Sequence, residues 1–411
     1  MKRRDFLKLS GFSAISATGF SRKIIAETED TTEYILTIEC QGGWDQTLVF
    51  DNKLGSNILK VDPSASLGTG AGGINYVHNS SRPNVKTFFD TYGDNSTIVN
   101  GILTHDLDVH LAQRSTNSVK SVTLNENLNY STFYASAVAP LKPYPHVSID
   151  LPNDSASYEV YSYHGSLEAI ESIQTSSNYL SGFSAATKNA LKAYLSNAYL
   201  SFSSGRINGT YTGRKINSLA SKGMKENSWI SVLTANFDNT QASNLTKRAI
   251  LALNLFNSNY TQTANILDDT PYSWDDHTNT LSAQNTRFDN LFRDLKIIID
   301  YAVTLGIADR LTILVKSETG RDSRVSLNEK DHWPYTSCLI WSKSITGSKV
   351  VGKTDEYLRG IKLDPVSGLE NTASEIEISF DSIYAALFQN FGVNKNLLWK
   401  EDLSPSYFIL F

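Results

Sequence analysis

Apolar residues along the chain fall into two patterns. Short, almost unbroken runs rich in β-branched residues occur at residues 34–40, 96–99, 146–150, 311–315 and 337–341. Runs of this length and continuity predict strands covered on both faces, as in a parallel sheet. The second pattern is helical. Phe288, Leu291, Phe292, Leu295, Ile298, Ile299 and Ala302 are spaced three or four apart, which places them on one face of a helix that ends near Gly306. Shorter helices are predicted over residues 84–92 and 381–391, and a hairpin around residues 349–352.

A strand leading to Asp275, the 288–302 helix and the 311–315 strand then form a βαβ unit. Between residues 151 and 260 the texture changes to long helical stretches such as 185–201 and 242–256, rich in Ala, Leu, Ser and Asn. That segment is expected to be a helical insertion or cap. The predicted fold is α/β, a three-layer sandwich around a mostly parallel sheet.

The first residues change the picture of where the protein works. Arg3-Arg4 precede a mildly apolar run over residues 9–20, the pattern of a twin-arginine export signal. The run is too short to span a bilayer, which needs about 20 apolar residues. Cleavage is expected after Ala26, leaving a periplasmic or secreted domain over residues 27–411. The lost segment holds six Lys or Arg and one Asp, so the formal charge moves from -5 to -10. An acidic chain is a poor partner for nucleic acid. Cys40 and Cys338 are the only cysteines, both in predicted strands. Two buried thiols are expected in preference to a bridge, which stays conceivable in an oxidising compartment.

Candidate chemistry gathers in loops directly after the strands. These are Gln41-Gly42-Gly43-Trp44-Asp45, Ser273-Trp274-Asp275-Asp276-His277, Lys316-Ser317-Glu318-Thr319-Gly320-Arg321 and Asp331-His332-Trp333-Pro334. In parallel sheets ligands bind at the carboxyl ends of strands. Asp45, Asp275, Glu318 and His332, with His277 and Asp331, mix carboxylates with imidazole, the donor set of zinc, manganese, iron or magnesium centres. Two divalent ions are compatible with it, and Arg321 or Arg324 would grip a substrate anion. Each residue also has a plain structural alternative. Asp45 would serve as a turn aspartate, Glu318 as an ion-pair partner of Arg321, and His332 as a loop histidine against an aromatic ring.

The order of Gly42-Gly43-Trp44-Asp45, Trp274-Asp275-Asp276-His277, Ser317-Glu318-Thr319-Gly320-Arg321 and Asp331-His332-Trp333-Pro334 resembles the exported proteins grouped as domain of unknown function 1501, a branch of the alkaline phosphatase and sulfatase superfamily. The resemblance also takes in the twin-arginine signal, residues 347–355 and 381–393, and leaves the helical middle unmatched. It implies an alkaline-phosphatase type of sandwich in which Asp275, His277 and His332 approach one metal and Asp45 and Glu318 the other. The substrate would be a small-molecule or glycan ester of phosphate or sulfate.

The nucleophile loop of such a fold would fall within residues 104–117. There His110 follows Val109 where the related family commonly has a serine beside the histidine. Thr104, Ser115 and Thr116 are the hydroxyl candidates, with His110 beside them. Neither cysteine lies in a formylglycine setting, which argues against that class of sulfatase. Two further readings keep the frame: a non-catalytic periplasmic binding or envelope-assembly protein, and a phosphomutase-type transferase, which would need a sugar phosphate outside the cytoplasm.

Overall fold

The computed structural model describes residues 32–104, 118–120, 127–139, 142, 144–151, 162–168, 170, 237–278, 280–327, 329–364, 370–371, 377–394, 396 and 398. The arginine pair, His110, Ser115, Thr116 and the 185–201 stretch lie outside them.

The strands of the main sheet are β1 (Tyr34–Glu39), β2 (Ser96–Leu103), β3 (His146–Ile149), β4 (Ser162–Gly165), β5 (Thr263–Leu267), β6 (Leu311–Lys316), β7 (Tyr335–Ser342), β8 (Lys349–Val351) and β9 (Ile378–Ser379). They run in the order β8-β2-β7-β6-β1-β5-β3-β4, with β9 beside β2. Every neighbouring pair is parallel except that β7 runs against both β6 and β2. The fold is therefore mixed α/β around a large, mostly parallel sheet, as the apolar runs predict.

Helices α1 (Pro83–Tyr92), α2 (Tyr130–Val138), α3 (Asn244–Asn257), α4 (Thr280–Thr304) and α5 (Phe380–Asn390) cover both faces. The pleat of the strands divides the core between them. Leu36 and Ile38 of β1 with Ile313 and Val315 of β6 pack under α1, α3 and α4. Ile35 and Leu314, one position out of phase, pack under α2 and α5. The same alternation settles the cysteines. Cys40 lies in the first of these apolar layers and Cys338 in the second, so the two thiols point to opposite faces, and both are free and buried.

The α4 stripe forms as its spacing predicts, and the helix closes where Gly306 takes a φ of 71° and Ile307 N–H returns to Ala302 O at 3.1 Å. α3 starts on a capping box between Ser243 and Thr246. Within the expected insertion, the described ends join the main domain: β4 extends the sheet, and α3 buries Leu245, Ala249, Leu251 and Phe256 in its core. The expected hairpin at 349–352 is corrected. Lys349–Val351 pairs in parallel with β2, a strand some 250 residues earlier, so no tight turn joins the two. Among the described residues no helix is long and apolar enough to cross a membrane.

Phe292 of α4 is fully buried against Phe88 and Phe89 of α1 and Phe50, with centroids 5.0, 5.4 and 6.2 Å away. Phe292→Ala is expected to cost roughly 3–5 kcal/mol, by transfer plus cavity terms. Urea unfolding checks this, and a loss below about 1 kcal/mol would contradict the packing.

Candidate metal centre

β1, β5 and β6 lie side by side in parallel, so the loops that follow them emerge along one edge of the sheet. β7 is antiparallel and begins where those strands end, with Cys338 opposite Lys316, so the residues just before it reach the same edge. That reversal delivers His332. A two-residue ribbon then fixes the approach, pairing Arg321 with His332 and Gly320 with Trp333.

At this edge Asp275, His277 and His332 place one ligand atom each within 4.8 Å of the others. Asp275 Oδ1 lies 3.0 Å from His277 Nε2 and 3.0 Å from His332 Nε2. The two rings stand nearly perpendicular, 5.0 Å apart. Asp275 and His277 are about one-third exposed, so the cluster is reachable from solvent. Burial pushes the Asp275 carboxyl upward, but hydrogen bonding and charge from Arg321, with help from His332, hold it below the usual range. His332 is shifted down, first by burial and then by the Arg321 charge, which favours the neutral imidazole.

Arg321 organises the surroundings. Its side chain is fully buried and donates to Gly43 O at 2.8 Å, Trp274 O at 3.0 Å, Lys330 O at 3.2 Å and Asp275 Oδ1 at 2.7 Å. It also bonds Gly42 O, and Nη1 lies 3.4 Å from His277 Nε2. Where an anion clamp is expected of it, its donors face protein acceptors from three loops. Arg324, the other clamp candidate, holds Asp322 and lies over the Trp333 ring at 5.2 Å.

Gly42 makes the loop approach possible. At φ 114° it occupies a region that favours glycine, and a Cβ there would stand 2.3 Å from Asp275 N. Its N–H donates to Glu318 Oε1 at 2.7 Å. Glu318 is buried and takes part in no three-residue ligand group among the described residues. Burial raises its carboxyl to about 7, against the pull of the hydrogen bonds it accepts.

Asp45 is likewise outside the cluster. Its Oδ1 accepts from Thr47 N at 3.0 Å and Thr47 Oγ1 at 2.6 Å, and its Oδ2 accepts from Ser323 Oγ at 3.0 Å and from Lys330 Nζ. It caps a short 3-10 turn over Gln46–Leu48, which is the turn-aspartate alternative. Thr104 directly follows β2, its hydroxyl donating to Pro334 O at 3.1 Å. The structure therefore brings together Asp275, His277, His332 and Arg321, and keeps Asp45, Glu318 and Thr104 in separate hydrogen-bonded settings.

Two residues of the site were not singled out from sequence. Lys330, nearly buried against Asp45, reads there only as part of a charged run. Gln284 donates to Gly43 O at 3.1 Å and Trp274 O at 3.4 Å. It had a signal: a polar residue one turn before Phe288, on the apolar stripe of α4.

No protein-family model matches the chain, and no curated protein matches it. Among solved structures, it is similar to the lipoteichoic acid synthase LtaP from Listeria monocytogenes, with 8% identity and a TM-score of 0.37 over 92% of this chain and 75% of that one. The PsFucS1 sulfatase from Pseudoalteromonas sp. gives 10% identity and 0.36 over 91% and 71%. The phosphonate monoester hydrolase of Agrobacterium radiobacter gives 10% and 0.35 over 88% and 74%. At scores of this size, the chemistry of the site has to be judged from its own geometry.

Gly42→Ala is expected to cost roughly 1–3 kcal/mol through backbone strain and to displace the Asp275 loop. Thermal unfolding and a crystal structure of the variant check it; an unmoved loop contradicts the account. Glu318 also predicts a pH dependence. A carboxyl that holds its proton more tightly when folded contributes stability that is full below its ordinary value of 4.5 and is lost as pH rises through about 7. Glu318→Gln should remove that decline, so the variant gains on the wild type from pH 5 to about 8 in chelator-treated protein. Identical pH profiles would refute the assignment.

Proposed function

We propose that the chain is an exported, metal-dependent hydrolase of phosphate or sulfate esters. The observation that supports this reading best is the convergence of Asp275 Oδ1, His277 Nε2 and His332 Nε2 on one solvent-reachable point at the carboxyl edge of the sheet. Two imidazoles and one carboxylate fit a divalent transition metal, zinc, iron or manganese, better than magnesium, which prefers an all-oxygen shell. Three protein ligands leave a position open, as catalytic sites do. When bound there, a divalent ion supplies a Lewis acid that stabilises negative charge on an ester's oxygens.

The chain's own residues do the rest. Arg321 holds Asp275 ionised and fixes the main-chain carbonyls behind it, so the ligand atoms are positioned before a substrate arrives. The neutral His332 keeps a lone pair available. Export rests on the Arg3-Arg4 signal at residues 1–26, recognised by the twin-arginine machinery, and folding around a metal before export gives that route a physical reason. Purified protein assayed on aryl phosphate and aryl sulfate esters should turn over at least one class. Chelation or Asp275→Asn should lower the rate by roughly 100-fold or more, with recovery of the chelated wild type on adding metal. Absence of turnover across the panel would count against a hydrolase.

One feature favours the alternative of a non-catalytic binding or envelope-assembly protein. A cavity of about 540 Å³ opens between the start of α3 and α4, lined by polar groups including Asn244, Asp269, Thr286, Arg287 and Asn290. Arg287 Nε ties it to Asp276 Oδ2 at 3.0 Å, one residue from the cluster. Such a lining suits a hydroxylated ligand such as a glycan. Calorimetric binding of envelope polysaccharide without hydrolysis would select this reading.

A further inference from the structure

Each histidine of the cluster has a second ring nitrogen, and both of these face one carboxylate. Asp331 Oδ1 lies 3.8 Å from His277 Nδ1 and 3.7 Å from His332 Nδ1. That oxygen is itself pinned, accepting the His332 backbone N–H at 2.7 Å. Asp275 thus stands on the Nε2 side of both rings and Asp331 on the Nδ1 side.

A neutral imidazole carries its proton on one nitrogen, and the nitrogen that binds a metal must be the other. At His277 a second contact points the same way. Asp275 at 3.0 Å from Nε2 competes with Asp331 at 3.8 Å from Nδ1, but Arg321 Nη1, which can only donate, lies 3.4 Å from Nε2 and favours Nε2 as the acceptor with the proton on Nδ1, toward Asp331. At His332 the same two carboxylates compete, with Asp275 3.0 Å from Nε2 and Asp331 3.7 Å from Nδ1. With Nε2 given over to a cation, the one proton of the neutral ring would sit on Nδ1, facing Asp331.

We infer that Asp331 is the shared positioning carboxylate of both histidines, favouring the Nδ1–H tautomer on each and leaving the two Nε2 lone pairs for the metal. Outer carboxylates of this kind raise ligand basicity and fix ring orientation. This rests on the metal reading proposed above. Asp331 supplies no atom to the three-residue ligand group, and its side chain is about three-quarters exposed, so its substitution need not disturb the core.

The test titrates zinc by calorimetry into the chelator-treated wild type, Asp331→Ala and Asp331→Asn, beside histidine-selective 15N NMR of the metal-free proteins. The alanine variant should bind zinc roughly 10-fold more weakly, at the low end for outer ligands because water screens an exposed carboxylate. The asparagine variant, which keeps an acceptor oxygen, should fall between. In the metal-free wild type His277 should show the Nδ1–H tautomer, shifting toward Nε2–H in Asp331→Ala, a change a merely structural residue would not produce. Wild-type zinc binding with unchanged affinity in Asp331→Ala, or an unchanged tautomer, overturns the inference and leaves the metal reading standing. A wild type that binds no zinc, manganese or iron overturns the metal reading and this inference with it.

Discussion

The site depends on one buried guanidinium. Arg321 is wholly removed from water, where an unpaired charge would be prohibitively costly, so each of its N–H groups must find an acceptor. The acceptors it finds are carbonyls of the loops after β1 and β5, that of Lys330 before β7, and the Asp275 carboxylate. Loops from distant parts of the sequence are thereby locked to a single side chain. Although Gln284 still donates to Gly43 O and Trp274 O, loss of that side chain would take a donor from each of these buried carbonyls at once, which is why it acts on the site as a unit. It also explains why the donors of Arg321 face protein acceptors from three loops.

The sheet topology sets up what Arg321 holds. Parallel β1, β5 and β6 bring three loops to one edge, and the antiparallel insertion of β7 brings His332 to the same place from the opposite direction. Gly42 then allows the backbone after β1 to pass within contact of Asp275, where any side chain would collide. The Asp275, His277 and His332 cluster is therefore a product of long-range pairing and close backbone approach.

Those facts explain what could be read from the chain. β1 and β6 are legible because both faces are buried and the apolar run is continuous, and α4 because its stripe repeats over many turns. Asp275, His277 and His332 were legible as a donor set on loops that follow or precede strands. The edge strand at Lys349–Val351 was not, since a β-branched pair before a glycine looks the same whether its partner is adjacent or hundreds of residues away. Asp45 illustrates the limit for side chains. Its type and spacing match a metal ligand, yet its charge is met by Lys330, 285 residues later, and no local pattern encodes such a partner. For Arg321, sequence shows that a guanidinium is present and not which acceptors surround it.

The central claim is that Asp275, His277 and His332 hold a divalent ion. Elemental mass spectrometry of the purified wild-type protein beside His332→Ala tests it most directly. The account predicts a zinc, iron or manganese ion in near-stoichiometric amount in the wild type and its loss in the variant. A folded wild type that is metal-free, and stays so after incubation with each of those ions, would contradict it.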